Sequence, residues 1–119
     1  MRAQAAKIDE VFVLKQQHKL LAALRLCPQD DVWLLRSMCV AEDYRGQGIG
    51  ACFLQQIQPA LNKKHCYSFP YTHLERFYQQ AGFYPIKPQL APSSIAEKFQ
   101  QYTDAGKNII LMEHQPGSN

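Results

Sequence analysis

Apolar and polar positions along the chain alternate between a strand period and a helix period. EVFVLKQ, Glu10 to Gln16, is rich in β-formers and bounded by polar residues, which predicts a strand. Gln17 to Lys19 form a polar break, and LLAALRLC, Leu20 to Cys27, predicts the second strand of a hairpin, with a turn over Pro28 to Asp31. VWLLRSMCV, Val32 to Val40, is a nearly continuous apolar run of strand length, the pattern of a strand buried on both faces. From Ala51 the residues Cys52, Phe53, Ile57 and Leu61 recur at helical spacing, predicting one helix over Gly48 to Asn62. HCYSFP, His65 to Pro70, predicts a strand stopped by proline. Thr72 followed by Glu75 is a capping-box signature, Leu74, Phe77, Tyr78 and Ala81 make an apolar helical face, and Gly82 marks its end. FYPIKP predicts a short strand between prolines, Pro92 to Gly106 a helix carrying Ile95, Phe99 and Tyr102, and Lys107 to His114 a last strand before the frayed tail QPGSN.

Three strands followed by Gly turn, helix, strand, helix and strand predict an α/β layer arrangement around a mixed sheet, in which a βαβ unit makes a parallel pair. No repeat or linker divides the chain, so residues 1–119 read as one domain. A hydrophobic content of 46% with 19% charged residues suits a globular protein of the cytoplasm, with neither a signal peptide nor an apolar run of bilayer length. The net charge of +3 helps an anionic ligand approach, but Lys63 and Lys64 are the only basic pair, so neither nucleic acid nor membrane is an expected partner. Cys27, Cys39, Cys52 and Cys66 show no metal-ligand spacing, so no metal is expected. They read as small hydrophobes among apolar neighbours.

The stretch DYRGQGIGACFLQQI concentrates chemistry, since three of the chain's 6 glycines fall at Gly46, Gly48 and Gly50, at the mouth of a helix. A helix N-terminus offers unpaired N–H groups and the positive end of a dipole, which favour an anion such as phosphate. A tight strand-to-helix turn without a ligand explains the glycines as well. A dinucleotide fingerprint is absent, because RGQGIG lacks the GxGxxG spacing, and no Gly-Lys-Ser/Thr follows to make a phosphate loop of the Walker type.

VAEDYRGQGIGACFLQQI closely resembles the acyl-CoA-binding motif of the GNAT-superfamily N-acetyltransferases, and ERFYQQAGFYPI resembles their later helix-to-strand segment. The resemblance covers about Glu10 to His114 and is strongest from Leu34 to Ile86. It implies a GNAT-like mixed, mostly antiparallel sheet with a central parallel βαβ unit and flanking helices. It also implies an acetyl-CoA-dependent N-acetyltransferase acting on a primary amine of unspecified identity, with acetyl-CoA as co-substrate. The backbone of Arg45, Gly46, Gln47, Gly48, Ile49 and Gly50 is then expected to cradle the CoA pyrophosphate, with Arg45 either adding charge near a phosphate or tying down the loop. Met38, Cys39 and Val40 are expected to hold the pantetheine arm through their main chain, with the amide of Cys39 or Val40 polarising the thioester carbonyl. Cys39 also invites a reading as nucleophile, against which stands the direct transfer typical of the family.

Tyr78 matches the tyrosine that serves the family as general acid toward the CoA sulfur; a core aromatic is the alternative. Glu10, Glu42, His73 and Glu75 are the candidate bases, His73 the best of them. Two departures stand out: Tyr71 replaces the family's usual Asn seven residues before the tyrosine, and only nine residues precede Glu10, where the family has a strand and one or two helices. The strand Glu10 to Gln16 is then expected at an exposed sheet edge, which dimerisation would cover. The alternative class is a catalytically weak CoA-binding or interaction module with the same fold. The long connection Gln89 to Gly106 is expected to place Phe99 and Tyr102 near the acceptor side.

Overall fold

A computed structural model describes residues 8–114, so the expected frayed tail, residues 115–119, lies outside the described residues. Six strands form one open mixed sheet: β1 (Glu10–Gln16), β2 (Lys19–Gln29), β3 (Val32–Val40), β4 (Cys66–Ser68), β5 (Phe83–Pro85) and β6 (Met112–His114). Among the described residues their spatial order is β1-β2-β3-β4-β6-β5, with β1 at an edge, and only β3 and β4 pair in parallel. Four α-helices flank the sheet among the described residues: α1 (Ile49–Gln56), α2 (Gln58–Leu61), α3 (Glu75–Gln80) and α4 (Ser93–Asp104). None of them is long and apolar enough to cross a membrane.

Strand alternation distributes the core over both faces. On one face Leu24, Leu26, Leu35, Cys66 and Met112 pack under Phe53, Leu54, Leu61 and Tyr78 of α1 to α3. On the other, Val32, Leu34, Tyr67 and Leu111 pack under α4, anchored by the fully buried Ile95. Burial of one such aliphatic side chain contributes roughly 1.5–3 kcal/mol, and Phe99 of α4 adds to the contact from a partly buried position.

Several elements differ from expectation for identifiable reasons. The helix expected over Gly48 to Asn62 is split at Ile57, because Pro59 has no N–H and crowds the carbonyl of Gln55. The capping box does not form. Thr72 to Leu74 make a 3-10 turn, α3 begins at Glu75, and the Thr72 amide is already bonded to the Asn108 carbonyl at 3.1 Å. Glu75 therefore has no capping donor to reach and accepts instead from Gln79 Nε2 at 3.2 Å.

The turn expected at Pro28 contracts to Asp30 and Asp31. Strand β2 runs through Pro28, which lies beyond the last β1 partner, so its missing N–H breaks no ladder bond. The strands expected over His65 to Pro70 and Lys107 to His114 shorten to β4 and β6, since Pro70 cannot donate and only a single Tyr71–Ile109 bridge follows. Likewise FYPIKP is strand only to Pro85, and Pro88 opens a 3-10 turn. Burial of β3 on both faces holds for Val32 to Leu35 and ends at Arg36, where β4 leaves it.

Candidate functional site

The parallel pair β3–β4 is short, running only from Trp33↔Cys66 to Leu35↔Ser68. A bulge then interrupts β3, with a register shift against β2 between Ala23 and Arg25 and Ser37 held at φ 60°. Past Leu35 and Ser68 the two strands part, and the half of β3 from Arg36 to Val40 keeps β2 on one side only. Which main-chain groups face the resulting fork follows from two bonds at its end. The Ala41 amide donates to the Leu21 carbonyl at 2.8 Å, toward β2, whereas the Val40 carbonyl accepts from Arg45 Nε at 3.0 Å. Since N–H and C=O of one strand residue point the same way and alternate along the strand, the amides of Met38 and Val40 face the fork. That of Cys39 faces β2. Of the two amides expected to polarise a thioester carbonyl, Val40 has the required direction.

At the tip of β3 the loop turns into α1. Gly46 and Gly48 take φ of 79° and 78°, a left-handed conformation that side-chain-bearing residues rarely adopt, and no atom lies within 4 Å of where their Cβ atoms would be. The space that a side chain would take at both positions is therefore open. Gly48 caps α1, whose first helical bond runs from the Cys52 amide to the Gly48 carbonyl at 3.0 Å. The amides of Ile49, Gly50 and Ala51 thus have no partner within the helix. Arg45 is the tie between loop and strand through its bond to Val40, and Gln47 Nε2 donates to the Asp43 carbonyl at 3.3 Å. Gly50 serves a different purpose: a Cβ there would lie 3.0 Å from Phe77 Cζ and 3.4 Å from Met38 Cε. The two sequence motifs meet at that glycine.

Tyr78 is only 5% exposed and meets the rings of Phe77 and Phe83 edge-on, with centroids at 5.3 and 5.6 Å. Burial, and secondarily the nearby Cys66, pushes its phenol up to about 12, so the hydroxyl keeps its proton throughout the neutral range. It makes no side-chain hydrogen bond among the described residues, in which Cys66 is the buried thiol and Cys39 and Cys52 are exposed. The expectation that all four cysteines pack as small hydrophobes is therefore corrected: both exposed thiols sit on surface positions of β3 and α1. Ser68, the last paired residue of β4, is 2% exposed and its Oγ has no partner among the described residues. By alternation from Cys66 it faces the side of the sheet that carries Tyr78.

The candidate bases are scattered. Glu10 pairs with Lys64 at 3.2 Å, Glu42 lies exposed in a 3-10 turn, and Glu75 is engaged with Gln79. His73 is exposed and stacks on Tyr71, with ring centroids at 6.0 Å. Tyr71 in turn lines a groove of about 310 Å³ on the α4 side of the fork, between Arg36 and Ser37, Phe69, and Tyr102 with Lys107. Tyr102 lines this groove, while Phe99 packs against Phe69 with centroids at 5.7 Å. As site residues, Arg36, Ser68 and Phe77 were missed from sequence. An arginine inside the otherwise apolar run VWLLRSMCV is the one signal that could have pointed to the groove.

Comparison with known proteins agrees with this geometry. A family model described as acetyltransferase (GNAT) domain matches residues 7–85. Among solved structures, ElaA from Escherichia coli superposes with a TM-score of 0.66 at 18% identity, over 90% of this chain and 68% of its own. N-acetylglutamate synthase from Neisseria gonorrhoeae, in complex with coenzyme A and N-acetyl-glutamate, gives a TM-score of 0.71 at 14% identity, over 92% of this chain and 26% of its own. A GNAT family acetyltransferase from Elizabethkingia anophelis with acetyl-CoA bound gives 0.68 at 16% identity, over 90% of this chain and 76% of its own. The chain thus spans about a quarter of the length of the synthase. Comparison with the curated proteins found no match. With the family match covering well over half of the chain, the chain belongs to the GNAT domain family of acetyltransferases.

Proposed function

We propose that this chain transfers an acetyl group from acetyl-CoA to a primary amine by direct attack. The observation that carries this reading is the fork itself: an unpaired β3 edge with the Met38 and Val40 amides directed into it, leading to an open glycine loop at the N-terminus of α1. The residues present fit the co-substrate. Positive-φ Gly46 and Gly48 leave the loop amides uncovered for a pyrophosphate, and the buried, unpartnered Ser68 Oγ waits at the base of the fork for a polar group.

Acetyl-CoA supplies an acyl group on a good thiolate leaving group. The protein's part is to hold, polarise and protonate. The loop from Gly46 to Gly50 anchors the phosphates, and the β3 edge aligns the pantetheine arm as an added strand would be aligned. The Val40 amide donates to the thioester oxygen as negative charge develops there. The amine nitrogen bonds to the carbonyl carbon, the C–S bond breaks, and the Tyr78 hydroxyl gives its proton to the sulfur. The amine's own proton leaves through water at the mouth of the fork, where His73 beside Tyr71 is the candidate base.

The test is a calorimetric titration with acetyl-CoA, alongside a Gly48→Glu variant that places a charged side chain and a strained φ in the loop. Micromolar binding that the variant loses, followed by CoA release on adding amines, is the expected result. A folded chain that binds no acetyl-CoA ends this reading.

A further inference from the structure

The groove on the α4 side of the fork has a chemistry that selects among amines. Its entrance adjoins the bulge of β3, so a molecule lying in it reaches the gap between β3 and β4 from the face opposite α1. Two cations line it, Arg36 and Lys107, and no acidic side chain does. Neither forms an ion pair among the described residues. Both lean on one ring: the Arg36 guanidinium carbon lies 5.9 Å from the Tyr102 centroid and Lys107 Nζ 5.5 Å from it. Arg36 also donates from one Nη to the Tyr102 hydroxyl at 2.6 Å. That bond uses one of the five guanidinium N–H groups and fixes the plane of the fork that the others form. Phe69, Tyr71 and Ile109 make the remaining walls apolar.

We infer that this groove takes an acceptor that carries a carboxylate beside its amine, on an apolar body: a small amino carboxylate. The carboxylate meets Arg36 and Lys107, where a charge-assisted pair to a planar guanidinium is favoured. The apolar body lies along Phe69, Tyr71 and Ile109, and the amine is left to point into the fork. The same two cations repel a second ammonium group, so polyamines are poor ligands. They also favour the neutral form of the reacting amine, which is the form that attacks. The volume suits a molecule of the size of an aromatic amino acid rather than a folded partner.

The inference rests on the acetyl transfer proposed above, and the experiment separates the two. N-acetylphenylalanine and N-acetylphenethylamine, which differ in the carboxylate alone, are titrated into the CoA-loaded protein and followed by NMR. Acetyl-CoA binding is measured on the same preparation. The acid is expected to bind at least about tenfold more tightly than the neutral amide, as one charge-assisted pair predicts, and to shift the Tyr102 and Lys107 resonances. Arg36→Gln and Lys107→Gln, the latter at an exposed position, are each expected to erase most of that ratio while acetyl-CoA binding is unchanged. Equal binding of the two compounds, or a ratio that survives both substitutions, overturns the inference and leaves the acetyl transfer standing. Acid binding by a protein that binds no acetyl-CoA overturns the acceptor assignment together with the transfer.

Discussion

The ring of Phe77 stands 3.0 Å from where a Cβ on Gly50 would be, so the helix that carries Tyr78 is seated directly on the first turn of α1. This contact couples the glycine loop to the helix of Tyr78 through packing alone. A Gly50→Val variant forces the ring away, and overpacking of this kind costs about 1–3 kcal/mol. A lower urea midpoint with an unchanged m-value is the expected result. Phe77→Ala in the same chain should recover most of the loss, because it removes the ring that the introduced side chain strikes. Strict additivity of the two changes would show that they do not meet.

Replacing Tyr78 by Phe separates chemistry from binding. Phenylalanine keeps the edge-on packing with Phe77 and Phe83 and removes only the proton donor. The turnover rate is expected to fall by about a hundredfold or more, the usual contribution of a general acid, with acetyl-CoA affinity unchanged. Because burial raises the wild-type phenol to about 12, the wild-type rate should show no alkaline loss from this group below about pH 10. A variant with full turnover would make Tyr78 a core aromatic and nothing more.

A third relationship ties stability to pH on the acid side. The His114 ring is 2% exposed, its Nε2 meets Gln58 Oε1 at 3.1 Å, and Gln58 Nε2 donates to the Ala81 carbonyl at 2.8 Å. With the Gln58 amide so oriented, Nε2 carries the imidazole proton and the buried Nδ1 has no partner among the described residues. Protonation would bury a charge, so desolvation lowers the folded pKa below its ordinary value of 6.5. The unfolded chain then takes up the proton first. The stabilisation is present above about pH 6.5 and is lost as pH falls through the folded pKa. Urea midpoints measured from pH 7.5 to 4.5 should decline more steeply in wild type than in His114→Gln. Parallel declines would remove His114 from the account.

The order of elements along the chain and the glycine turn were legible because they depend on local signals: the β-formers of β1, the apolar run of β3, and glycines at positions 46, 48 and 50. What the sequence hid depends on contacts between distant segments. Thr72 and Glu75 have the right letters for a capping box, but Asn108, far along the chain, takes the amide that the box needs. The apolar run of β3 reads as uniformly buried, yet its burial ends wherever β4 happens to depart, which Pro70 and the Ser37 bulge decide. Arg36 acquires its hydrogen-bond partner from Tyr102, which reaches it from α4. Local pattern fixes elements; the fork and the groove arise from where elements stop.

Ser68 offers the sharpest contrast between stability and function. A buried hydroxyl without a partner costs about 1–3 kcal/mol of desolvation, so the ligand-free protein gains by its removal. Ser68→Ala is therefore expected to raise the urea midpoint, with a stabilisation on the order of 1 kcal/mol. If Oγ receives a hydrogen bond from, or gives one to, the acyl-pantetheine end of the co-substrate, the same change should weaken acetyl-CoA binding by about tenfold. Proteins retain such a defect at a site that something else completes. A variant that is both more stable and equally good at binding acetyl-CoA would show that the hydroxyl is idle, and would move the base of the fork out of the site.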